Sequence, residues 1–433
     1  MKYVIIGNAT AGIACVEGIR SADTEGEITI ISDEPFAAYG RPLISYYLLG
    51  ATDRERMLYR PADFYEKNKV KTLLGARADK IDVAAKKIVL RGGKEIPYDK
   101  LLVATGSRPF EPPMEGIEGV KDTFNFMTMQ DALSLEKALS RRKSVLIVGA
   151  GLIGLKCLEG IAERVKSVSV VDMADRVLPS VLDEAGAGIV RRALEKKGAA
   201  FYLSDSVAKF DKNTAHLKSG KEIPFDILGV AVGVRPNTEL VKNAGGEVRR
   251  GIVTDEKQRT SIENVYAAGD CAESLDITSG EHKILALLPN AYRQGYTAGV
   301  NMAGGDAAFT EAMPLNAVGF FGTQVLTAGS YTGESYTETE GDRYRKLFYK
   351  EGVLRSSAIK RPLQKWILNR SKRRRSSRRS RKRRANECSR GRCKHEDRCE
   401  RYALCRAERA GAFRKGQIYF HRKLYRPALY RRR

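Results

Sequence analysis

Two glycine-rich segments of this chain have the residue types and the spacing that bind the phosphates of a dinucleotide. The more complete one is GAGLIG, residues 149–154, which follows the apolar run Ser144–Val148. Its first glycine permits a tight turn, and its small residues let backbone N–H groups at the start of a helix approach a pyrophosphate. The candidate nucleotide-binding residues of this segment are Gly149, Gly151, Ile153 and Gly154.

The residue that would select the nucleotide follows the next apolar run, Ser167–Val171. Asp172 lies 18 residues after Gly154, where a carboxylate can accept hydrogen bonds from a ribose. A carboxylate at this point repels the 2′-phosphate of NADPH, so Asp172 favours NADH. Arg176 is close enough in sequence to leave NADPH open, and we therefore expect NAD(P)H as a cofactor, with NADH favoured.

The N-terminus repeats this arrangement less completely. An apolar run at residues 3–7 leads into a glycine turn in which Ala9 replaces the middle glycine, and a second run, Ile28–Ile31, precedes two acidic residues. The candidate nucleotide-binding residues here are Gly7, Ala11, Gly12, Asp33 and Glu34. An ordinary α/β turn is the alternative for this segment taken alone. Two dinucleotide sites in one chain favour a reaction between two nucleotides, and FAD with a nicotinamide cofactor is the obvious pair.

Six segments, in order along the chain, resemble the pyridine nucleotide-disulphide oxidoreductase family. Besides the two glycine units they are LLVATGSRP (Leu101–Pro109), VGVRPN (Val232–Asn237), NVYAAGDCAE (Asn264–Glu273) and LLPNAYRQGYTAGVNMAG (Leu287–Gly304). Within that family the chain is most similar to NADH:rubredoxin and ferredoxin reductases and to the flavin-binding part of nitrite reductases. The resemblance covers residues 1 to 354 and implies an FAD-dependent NAD(P)H oxidoreductase.

The resemblance also implies which residues contact FAD. In such proteins the aspartate of AAGD, here Asp270, accepts a hydrogen bond from the ribityl chain, and the ATG segment passes close to the cofactor. The residues implied are Arg41, Pro42, Ala104, Thr105, Gly106, Arg108, Gly269, Asp270, Leu288, Pro289 and Asn290. Gly233 of the VGVRPN segment is also expected to bind a cofactor, without an assignment to one of the two nucleotides. A turn or a packing role is the alternative for each of them.

Members of the family with thiol chemistry carry a redox-active cysteine against the flavin. Here the comparable position is Pro42, and the first 354 residues contain no Cys-x4-Cys pair. Cys15, Cys157 and Cys271 are interpreted as packing residues. We therefore predict hydride transfer from NADH to FAD, with electrons passing to an external acceptor such as rubredoxin, ferredoxin or a small molecule. The alternatives are an NADH oxidase or CoA-disulfide-reductase-like activity, and a flavoprotein tethered to nucleic acid by its basic tail.

One pair of residues departs from the family. Many relatives place a lysine after RPPLS and pair it with a glutamate after GLIG, beside the flavin, whereas this chain has Tyr46 and Lys156 at those positions. The hypothesis is that Lys156 is catalytic, because its cation would stabilise the reduced, anionic flavin. A solvated lysine on the helix face is the alternative. Glu159, about one helical turn on, is interpreted as structural.

The elements that must position all these residues are alternating strands and helices, so the fold class is α/β. We expect two Rossmann-like domains, one for FAD and one for NAD. A partial α+β C-terminal interface domain follows, whose short alternating segments indicate antiparallel strands. The chain then continues as a basic tail whose composition predicts disorder. The predicted boundaries are 1–112 and 244–310 for the FAD-binding domain, 113–243 for the NAD(P)H-binding domain, 311–354 for the interface domain and 355–433 for the tail.

The net charge of +24 belongs to the tail. Residues 355–433 hold 30 basic and 5 acidic residues, whereas residues 1–354 hold 46 and 47. Three interpretations compete: nonspecific nucleic-acid contact through counterion release, a shift of the reading frame near codon 355, and a metal site. The metal site lacks the tight cysteine pair of zinc motifs. Its candidate ligands are Cys388, Cys393, Cys399, Cys405 and His395. The abruptness of the break favours the frame shift.

The remaining expectations concern location and assembly. No apolar run reaches the roughly 18 residues that a membrane-spanning helix needs, so no membrane partner is expected. The scattered cysteines of the first 354 residues do not form a disulfide framework, which favours a cytoplasmic protein. A homodimer is a possible assembly.

Overall fold

The computed structural model describes residues 1–341, 343–350 and 353–359. Within these ranges, no helix has the length and apolar character needed to cross a bilayer. The predicted tail from residue 360 onward lies outside the described residues. That part includes the candidate metal ligands Cys388, Cys393, Cys399, Cys405 and His395.

The first sheet is parallel and carries the N-terminal glycine unit. The elements of this region are β1 (Lys2–Ile6), α1 (Thr10–Ala22), β2 (Glu27–Ser32), α2 (Ile44–Leu48), α3 (Phe64–Lys67), β3 (Val70–Leu74), β4 (Ala78–Asp82), β5 (Lys87–Leu90), β6 (Glu95–Pro97), β7 (Lys100–Val103) and β8 (Ser107–Pro109). Strands β7, β1, β2 and β3 lie side by side in parallel, whereas β4–β6 form a separate antiparallel sheet. The central strands are buried, so β1 is a nearly continuous apolar run.

The second parallel sheet carries the complete glycine unit. Its region contains β9 (Thr123–Phe124), α4 (Met129–Ala138), β10 (Ser144–Val148), α5 (Leu152–Ile161), β11 (Ser167–Asp172), α6 (Glu184–Glu195), β12 (Ala199–Leu203), β13 (Val207–Asp211), β14 (Thr214–Leu217), β15 (Glu222–Pro224), β16 (Ile227–Val230), β17 (Val234–Pro236) and α7 (Glu239–Asn243). The strand order is β12-β11-β10-β16-β9, with all neighbours parallel. Strands β13–β15 form a small antiparallel sheet beside it.

The chain then returns to the first sheet. Strand β18 (Val265–Ala267) pairs in parallel with β7 and completes the order β18-β7-β1-β2-β3. The hairpin β19 (Ser274–Asp276) and β20 (Glu281–Lys283) and the helix α8 (Leu288–Met302) follow. Strands β8 and β17 pair antiparallel where the chain leaves the first sheet and where it comes back. The prediction of an α/β chain with two Rossmann-like parallel sheets is confirmed.

Residues beyond 310 form an antiparallel sheet, as the alternating pattern predicts. Its strands are β21 (Leu315–Phe320), β22 (Thr323–Gly329), β23 (Glu334–Glu340), β24 (Arg343–Lys350) and β25 (Val353–Ile359), in the order β21-β22-β25-β24-β23. Strand β25 pairs with both β22 and β24. The sheet therefore extends past residue 354, because ladder hydrogen bonds join backbone groups and do not depend on the change in side-chain composition.

Helices α1 and α8 cross at backbone distance, and this contact fixes the glycine turn at the start of α1. A Cβ atom on Gly295 would lie 2.1 Å from the carbonyl oxygen of Ala11, and one on Gly299 would lie 2.2 Å from that of Cys15. From α1, a Cβ atom on Gly18 would lie 2.3 Å from the carbonyl oxygen of Tyr296. The glycines of the LLPNAYRQGYTAGVNMAG segment at positions 295 and 299 are thus required by the packing of α8 on α1.

We expect Gly295→Ala to lower the free energy of unfolding by about 1–3 kcal/mol, because the added methyl group forces the two helices apart. Urea unfolding followed by circular dichroism measures the change. The matched control is Gly188→Ala in α6, where the nearest atom is the flexible end of Arg192 at 3.4 Å. That control should be neutral or slightly stabilising, since alanine favours a helix interior over glycine. Equal midpoints for Gly295→Ala and the wild type would contradict the packing argument.

Candidate functional site

A cavity of about 570 Å³ lies at the carboxyl edge of the first sheet. Its walls come from the segments that follow four parallel strands: residues 7–11 after β1, residues 33–34 after β2, residues 104–108 after β7 and residues 268–270 after β18. Ligands of open parallel sheets bind at this edge, because the loops after the strands meet there. The predicted residues that line the cavity are Gly7, Ala11, Asp33, Glu34, Arg41, Ala104, Thr105, Gly106, Arg108, Gly269, Asp270 and Leu288.

Four predicted flavin-site residues lie outside this lining. They are Gly12, Pro42, Pro289 and Asn290. A Cβ atom on Gly12 would lie 2.0 Å from the carbonyl oxygen of Gly7, so Gly12 closes the turn. The amide of Asn290 donates to the carbonyl of Met313 at 3.2 Å, which ties the start of α8 to the chain that follows.

The first glycine of the turn meets the opposite wall of the cavity. Gly7 has φ of +122° and its Cβ position lies 2.0 Å from the carbonyl oxygen of Ala104. Only glycine therefore lets the β1 turn pass against the segment after β7. Ala9 is the N-cap residue of α1 and has an extended backbone, which any residue can adopt. Alanine in place of the middle glycine is therefore compatible with the turn.

Asp270 lies in this cavity beside a hydroxyl group that the sequence did not single out. Ser107 Oγ donates to Asp270 Oδ2 at 3.2 Å. Burial raises the pKa of Asp270, and the Ser107 hydrogen bond and the positive charge of Arg41 oppose that rise. The preceding residue, Gly269, has φ of +84°, and its N–H donates to Gln294 Oε1 at 2.8 Å. Helix α8 thus holds the Asp270 turn in place.

Arg41 and Glu34 form an ion pair on the cavity wall. The Tyr39 hydroxyl donates to Glu34 Oε2 at 2.6 Å, and Arg41 also donates to the carbonyl of Met127 at 2.9 Å. Both carboxylate oxygens of Glu34 therefore already bind side chains of the protein. Asp33 is exposed and lines the same cavity, which makes it the more accessible of the two predicted acidic residues.

The predicted ATG segment is joined to the VGVRPN segment by reciprocal hydrogen bonds. Thr105 Oγ1 donates to the carbonyl of Asn237 at 2.7 Å, and Asn237 Nδ2 donates to the carbonyl of Thr105 at 2.9 Å. Arg108 donates to Asn237 Oδ1 at 2.8 Å and pairs with Glu239 at 2.7 Å. Asn237 belongs to the VGVRPN segment, and Glu239 lies just after it. Their roles could not be predicted, because their partners are about 130 residues away.

The second glycine unit lies at the carboxyl edge of the second sheet. Gly149 has φ of +115°, and its Cβ position lies 2.3 Å from the carbonyl oxygen of Ala231; that of Gly154 lies 2.0 Å from the carbonyl oxygen of Gly149. Gly151 differs, since no atom of the described residues other than its chain neighbours lies within 4 Å of its Cβ position. Ile153 follows in the first turn of α5, and Gly233, with φ of +112°, follows β16 at the same edge.

Asp172, the last residue of β11, is held by two backbone amides. Ala150 N–H donates to Oδ2 at 2.6 Å, and Ala174 N–H donates to Oδ1 at 2.8 Å. The carboxylate is therefore fixed beside the glycine turn. Arg176 points elsewhere: it pairs with Asp175 at 2.7 Å and donates to the carbonyl of Leu182 at 3.3 Å. The carboxylate of Asp172 therefore lies beside the glycine turn, whereas the Arg176 side chain is bound to Asp175 and Leu182.

These features fit two dinucleotides. In each unit, backbone atoms of the protein lie where a Cβ atom on the first or third glycine would be. The Cβ position of the middle glycine of the second unit, Gly151, faces open space within the described residues. Open space before the first N–H groups of a helix is what a pyrophosphate requires. In the first unit the cavity adds a half-buried carboxylate, Asp270, and a cation, Arg41.

The three cysteines within the described residues are buried free thiols: Cys15, Cys157 and Cys271. Burial raises the pKa of the Cys157 thiol to about 12 and also raises the pKa values of the other two. Thiol chemistry requires an accessible thiolate. These residues therefore have the environment of packing residues.

Lys156 lies outside the cavity lining, on α5. Its ammonium group pairs with Glu159, donates to the carbonyl of Gly319 at 3.3 Å and lies 4.5 Å from the centre of the Tyr46 ring. The lysine is not a solvated surface residue, since its side chain is only 16% exposed. Its predicted catalytic role stays a prediction.

Comparisons with known proteins agree with this geometry. A family model described as Pyridine nucleotide-disulphide oxidoreductase matches residues 1–295. The chain is 31% identical over 367 residues to the NADH-dependent phenylglyoxylate dehydrogenase subunit epsilon of Aromatoleum evansii, covering 82% of this chain and 86% of that protein. It is 37% identical over 323 residues to the NADH oxidase of Methanocaldococcus jannaschii, covering 71% of each.

Two further similarities concern a relative and a solved structure. The chain is 31% identical over 310 residues to the Rubredoxin-NAD(+) reductase of Pseudomonas putida, covering 70% of this chain and 80% of that protein. Among solved structures, the NAD-dependent persulfide reductase from A. fulgidus superposes with a TM-score of 0.77 at 28% identity, covering 84% of this chain and 74% of that one.

Proposed function

The chain belongs to the pyridine nucleotide-disulphide oxidoreductase family, and from this premise we propose that it passes electrons from NADH through FAD to a small iron protein of the rubredoxin or ferredoxin type. At the coarser level it is an FAD-dependent NAD(P)H oxidoreductase, with FAD and NADH as its cofactors. The finer proposal rests on one observation. Every cysteine within the described residues is buried, so that part of the chain offers no accessible thiol, which supports the release of electrons to an external acceptor.

In this proposal the first sheet holds FAD. The turn after β1 presents N–H groups of α1 to the pyrophosphate, and Asp33 accepts hydrogen bonds from the adenosine ribose. Asp270, oriented by Ser107, accepts a hydrogen bond from the ribityl chain. FAD, when bound, supplies a carrier that accepts two electrons as hydride and can release them singly. Pro42, Pro289 and Asn290 are proposed to border its ring.

The second sheet holds NADH in the same way. The open space over Gly151 admits the pyrophosphate to the N–H groups at the start of α5. Asp172, already fixed by two amides, accepts hydrogen bonds from the adenosine ribose, and its charge disfavours a 2′-phosphate. Arg176 does not offset that charge, because it is paired with Asp175. The two sheets thereby align the two nucleotides, which is the protein's main contribution to hydride transfer.

Dioxygen is a second candidate acceptor, favoured by the 37% identity with an NADH oxidase. A CoA-disulfide-reductase-like activity has less support, since it requires a reactive thiol and the described cysteines are buried. Tethering to nucleic acid would rest on the tail, which lies outside the described residues. The cytoplasmic location and the homodimer stay predictions.

An anaerobic titration tests the proposal. We expect the absorbance bands of the bound flavin to bleach with about one equivalent of NADH, and with NADPH only at much higher concentration, because Asp172 repels the 2′-phosphate. Oxidised rubredoxin, ferredoxin or air is then added to separate samples of the reduced protein. Reoxidation by an iron protein many times faster than by air supports the proposal. Fast reoxidation by air alone replaces it with an oxidase, and flavin that NADH does not bleach contradicts both.

A further inference from the structure

A second cavity, of about 630 Å³, lies beside the paired strands β8 and β17. Its walls come from residues 108–111 and 235–238 and from Arg250, so it is separate from the glycine turn at residues 149–154 where NADH is proposed to bind. Arg108 lines both this cavity and the cavity of about 570 Å³, which therefore adjoin each other. We call it the arginine cavity, because three arginines line it.

The arrangement of these arginines concentrates positive charge. Arg108 and Arg235 occupy directly opposite positions of the antiparallel β8–β17 pair. Like charges at opposite positions of a strand pair repel each other, so this pairing costs stability unless an anion offsets it. The carboxylate of Glu239 pairs with Arg108 at 2.7 Å. Within the ranges that the structure describes, neither Arg235 nor Arg250 forms such a pair, so two cations of the cavity lack a counter-charge.

Arg235 and Arg250 are both held in place by their surroundings. The guanidinium carbon of Arg235 lies 4.0 Å from the centre of the Phe110 ring, and a guanidinium stacked on a ring keeps the N–H groups at its edge available. The backbone N–H groups of Arg250 and Gly251 both donate to Glu273 Oε1 at 3.0 Å. Glu273 is buried, so it fixes the chain at Arg250 while the Arg250 side chain lines the cavity.

The other walls of the arginine cavity indicate which anion fits. Phe110 and two prolines form an apolar side that can contact the carbon atoms of a small molecule. Thr238 adds a hydroxyl group that, within the described residues, does not cap α7. The carboxylate of the lining, Glu111, accepts the amide of Asn125 at 2.6 Å, and the three arginines outnumber it. Guanidinium groups bind the oxygens of a phosphoryl group through paired N–H donors.

We propose that the arginine cavity binds the phosphoryl group of a small anion through the guanidinium groups of Arg235 and Arg250. This site is additional to the two nucleotide sites of the proposed function. Free phosphate and an organic phosphate share this chemistry, and the apolar side of the cavity favours the organic one. The bound anion offsets the repulsion between the strands, so it stabilises the folded protein. Because the arginines are exposed, its affinity falls as the salt concentration rises.

Calorimetric titration of the FAD-bound full chain tests this inference. Phenyl phosphate and orthophosphate are titrated separately at low ionic strength, with and without saturating NAD⁺. With NAD⁺ present, both proposed nucleotide sites are filled, so any remaining binding occurs elsewhere. We expect phenyl phosphate to bind at one site per chain in both conditions, and more tightly than orthophosphate. Equal affinities of the two anions would identify the phosphoryl group alone as the ligand.

Substitutions then locate the site. Arg235→Gln and Arg250→Gln are each expected to weaken the binding of phenyl phosphate by about tenfold or more, because each removes one charged donor group. Arg249→Gln is the matched control. It removes the same charge from the residue next to Arg250, but Arg249 pairs with Glu247 at 3.4 Å and lies outside the cavity lining. This control should bind phenyl phosphate like the wild type.

Thermal unfolding separates anion binding from a structural role of the arginines. Without the anion, Arg235→Gln and Arg250→Gln should unfold near the wild-type temperature, and phenyl phosphate should raise that temperature only in the wild type and in Arg249→Gln. If Arg235→Gln fails to fold, Arg235→Lys replaces it, because lysine keeps the charge and loses the paired donors. Arg235→Lys should also bind phenyl phosphate more weakly than the wild type.

Weaker binding in the cavity variants, with the control unchanged, supports the inference. A wild type that binds neither anion overturns it, and so does binding that survives the cavity substitutions. Equal weakening in all three glutamine variants would show a nonspecific effect of charge and would also overturn it. Binding that NAD⁺ displaces places the anion in the proposed NADH site instead.

Discussion

Asp270→Asn is expected to weaken FAD binding by about 10- to 100-fold and, at the same time, to stabilise the protein without FAD. The first effect follows from the proposed role of Asp270, because the variant loses a charged acceptor for the ribityl chain. Hydrogen bonds to charged groups contribute about 1.5–3 kcal/mol, which corresponds to the stated range of affinity. Asparagine keeps an oxygen that can accept the Ser107 hydroxyl, so the turn itself should persist.

The second effect follows from the pKa of Asp270, which burial raises despite the Ser107 hydrogen bond and the charge of Arg41. A carboxyl group whose pKa is higher in the folded state binds more protons there than in the unfolded chain. Stability therefore falls as the pH rises from the ordinary aspartate range through the raised pKa. Above the raised pKa the apoprotein bears this cost in full. Asparagine removes it, and the advantage of the variant should vanish at acid pH.

Flavin fluorescence titration of the apoprotein gives the affinity, and thermal unfolding at several pH values gives the stability. The control is Asp276→Asn. Asp276 is fully buried and pairs with Lys283 at 2.5 Å, and hydrogen bonds from Lys283 and Thr278 lower its pKa although burial alone would raise it. This control should destabilise the protein and leave FAD affinity nearly unchanged. Equal FAD affinity of Asp270→Asn and the wild type would contradict the assigned role.

Some features of the site could be predicted because their causes are local in sequence. The first and third glycines of each unit are fixed by the geometry of a single strand–turn–helix segment, so Gly149 and Gly154 could be identified from spacing alone. Their close contacts, 2.3 Å and 2.0 Å from backbone oxygens at the Cβ position, give the physical reason. Asp270, by contrast, could be predicted only from the resemblance of the AAGD segment to the family.

Other features could not be predicted because they join distant segments. Glu34 and Asp33 are adjacent and chemically alike, and only the folded chain shows that Glu34 is paired with Arg41. The spacing of Lys156 and Glu159 allowed an ion pair, but the N–H of Phe321 that Glu159 also binds is 162 residues away. Likewise, the change in composition after Leu354 gave no sign that strand β25 continues to Ile359.

Gly151→Val is expected to reduce the rate of flavin reduction at low NADH concentration by at least about 100-fold, while FAD content and unfolding temperature stay near the wild-type values. Gly151 is the N-cap residue of α5, and its φ of −78° and ψ of −175° are accessible to valine. Within the described part of the chain, no atom apart from those of its sequence neighbours lies within 4 Å of its Cβ position. The valine side chain therefore fills space that the fold leaves open.

In the proposed function, that space is where the NADH pyrophosphate reaches the N–H groups of α5. Excluding it costs about 2.7 kcal/mol or more of binding energy if the effect reaches 100-fold. Stopped-flow absorbance at several NADH concentrations should show the loss mainly as weaker NADH binding. Chemical reduction of the same flavin should be unaffected, because dithionite does not use the nucleotide site.

The first glycine unit provides the matched variant, because Ala9 has the equivalent position at the start of α1 and also an extended backbone. Ala9→Val should weaken FAD binding and leave the NADH site intact, which is the reverse of Gly151→Val. Gly154→Ala is the third member of the set, and it should destabilise the fold, since its Cβ atom would lie 2.0 Å from the carbonyl oxygen of Gly149. If Gly151→Val binds NADH normally, the pyrophosphate does not cross this turn. Conversely, separate losses of NADH and FAD in the two valine variants would assign each nucleotide to its own sheet by a criterion independent of sequence similarity.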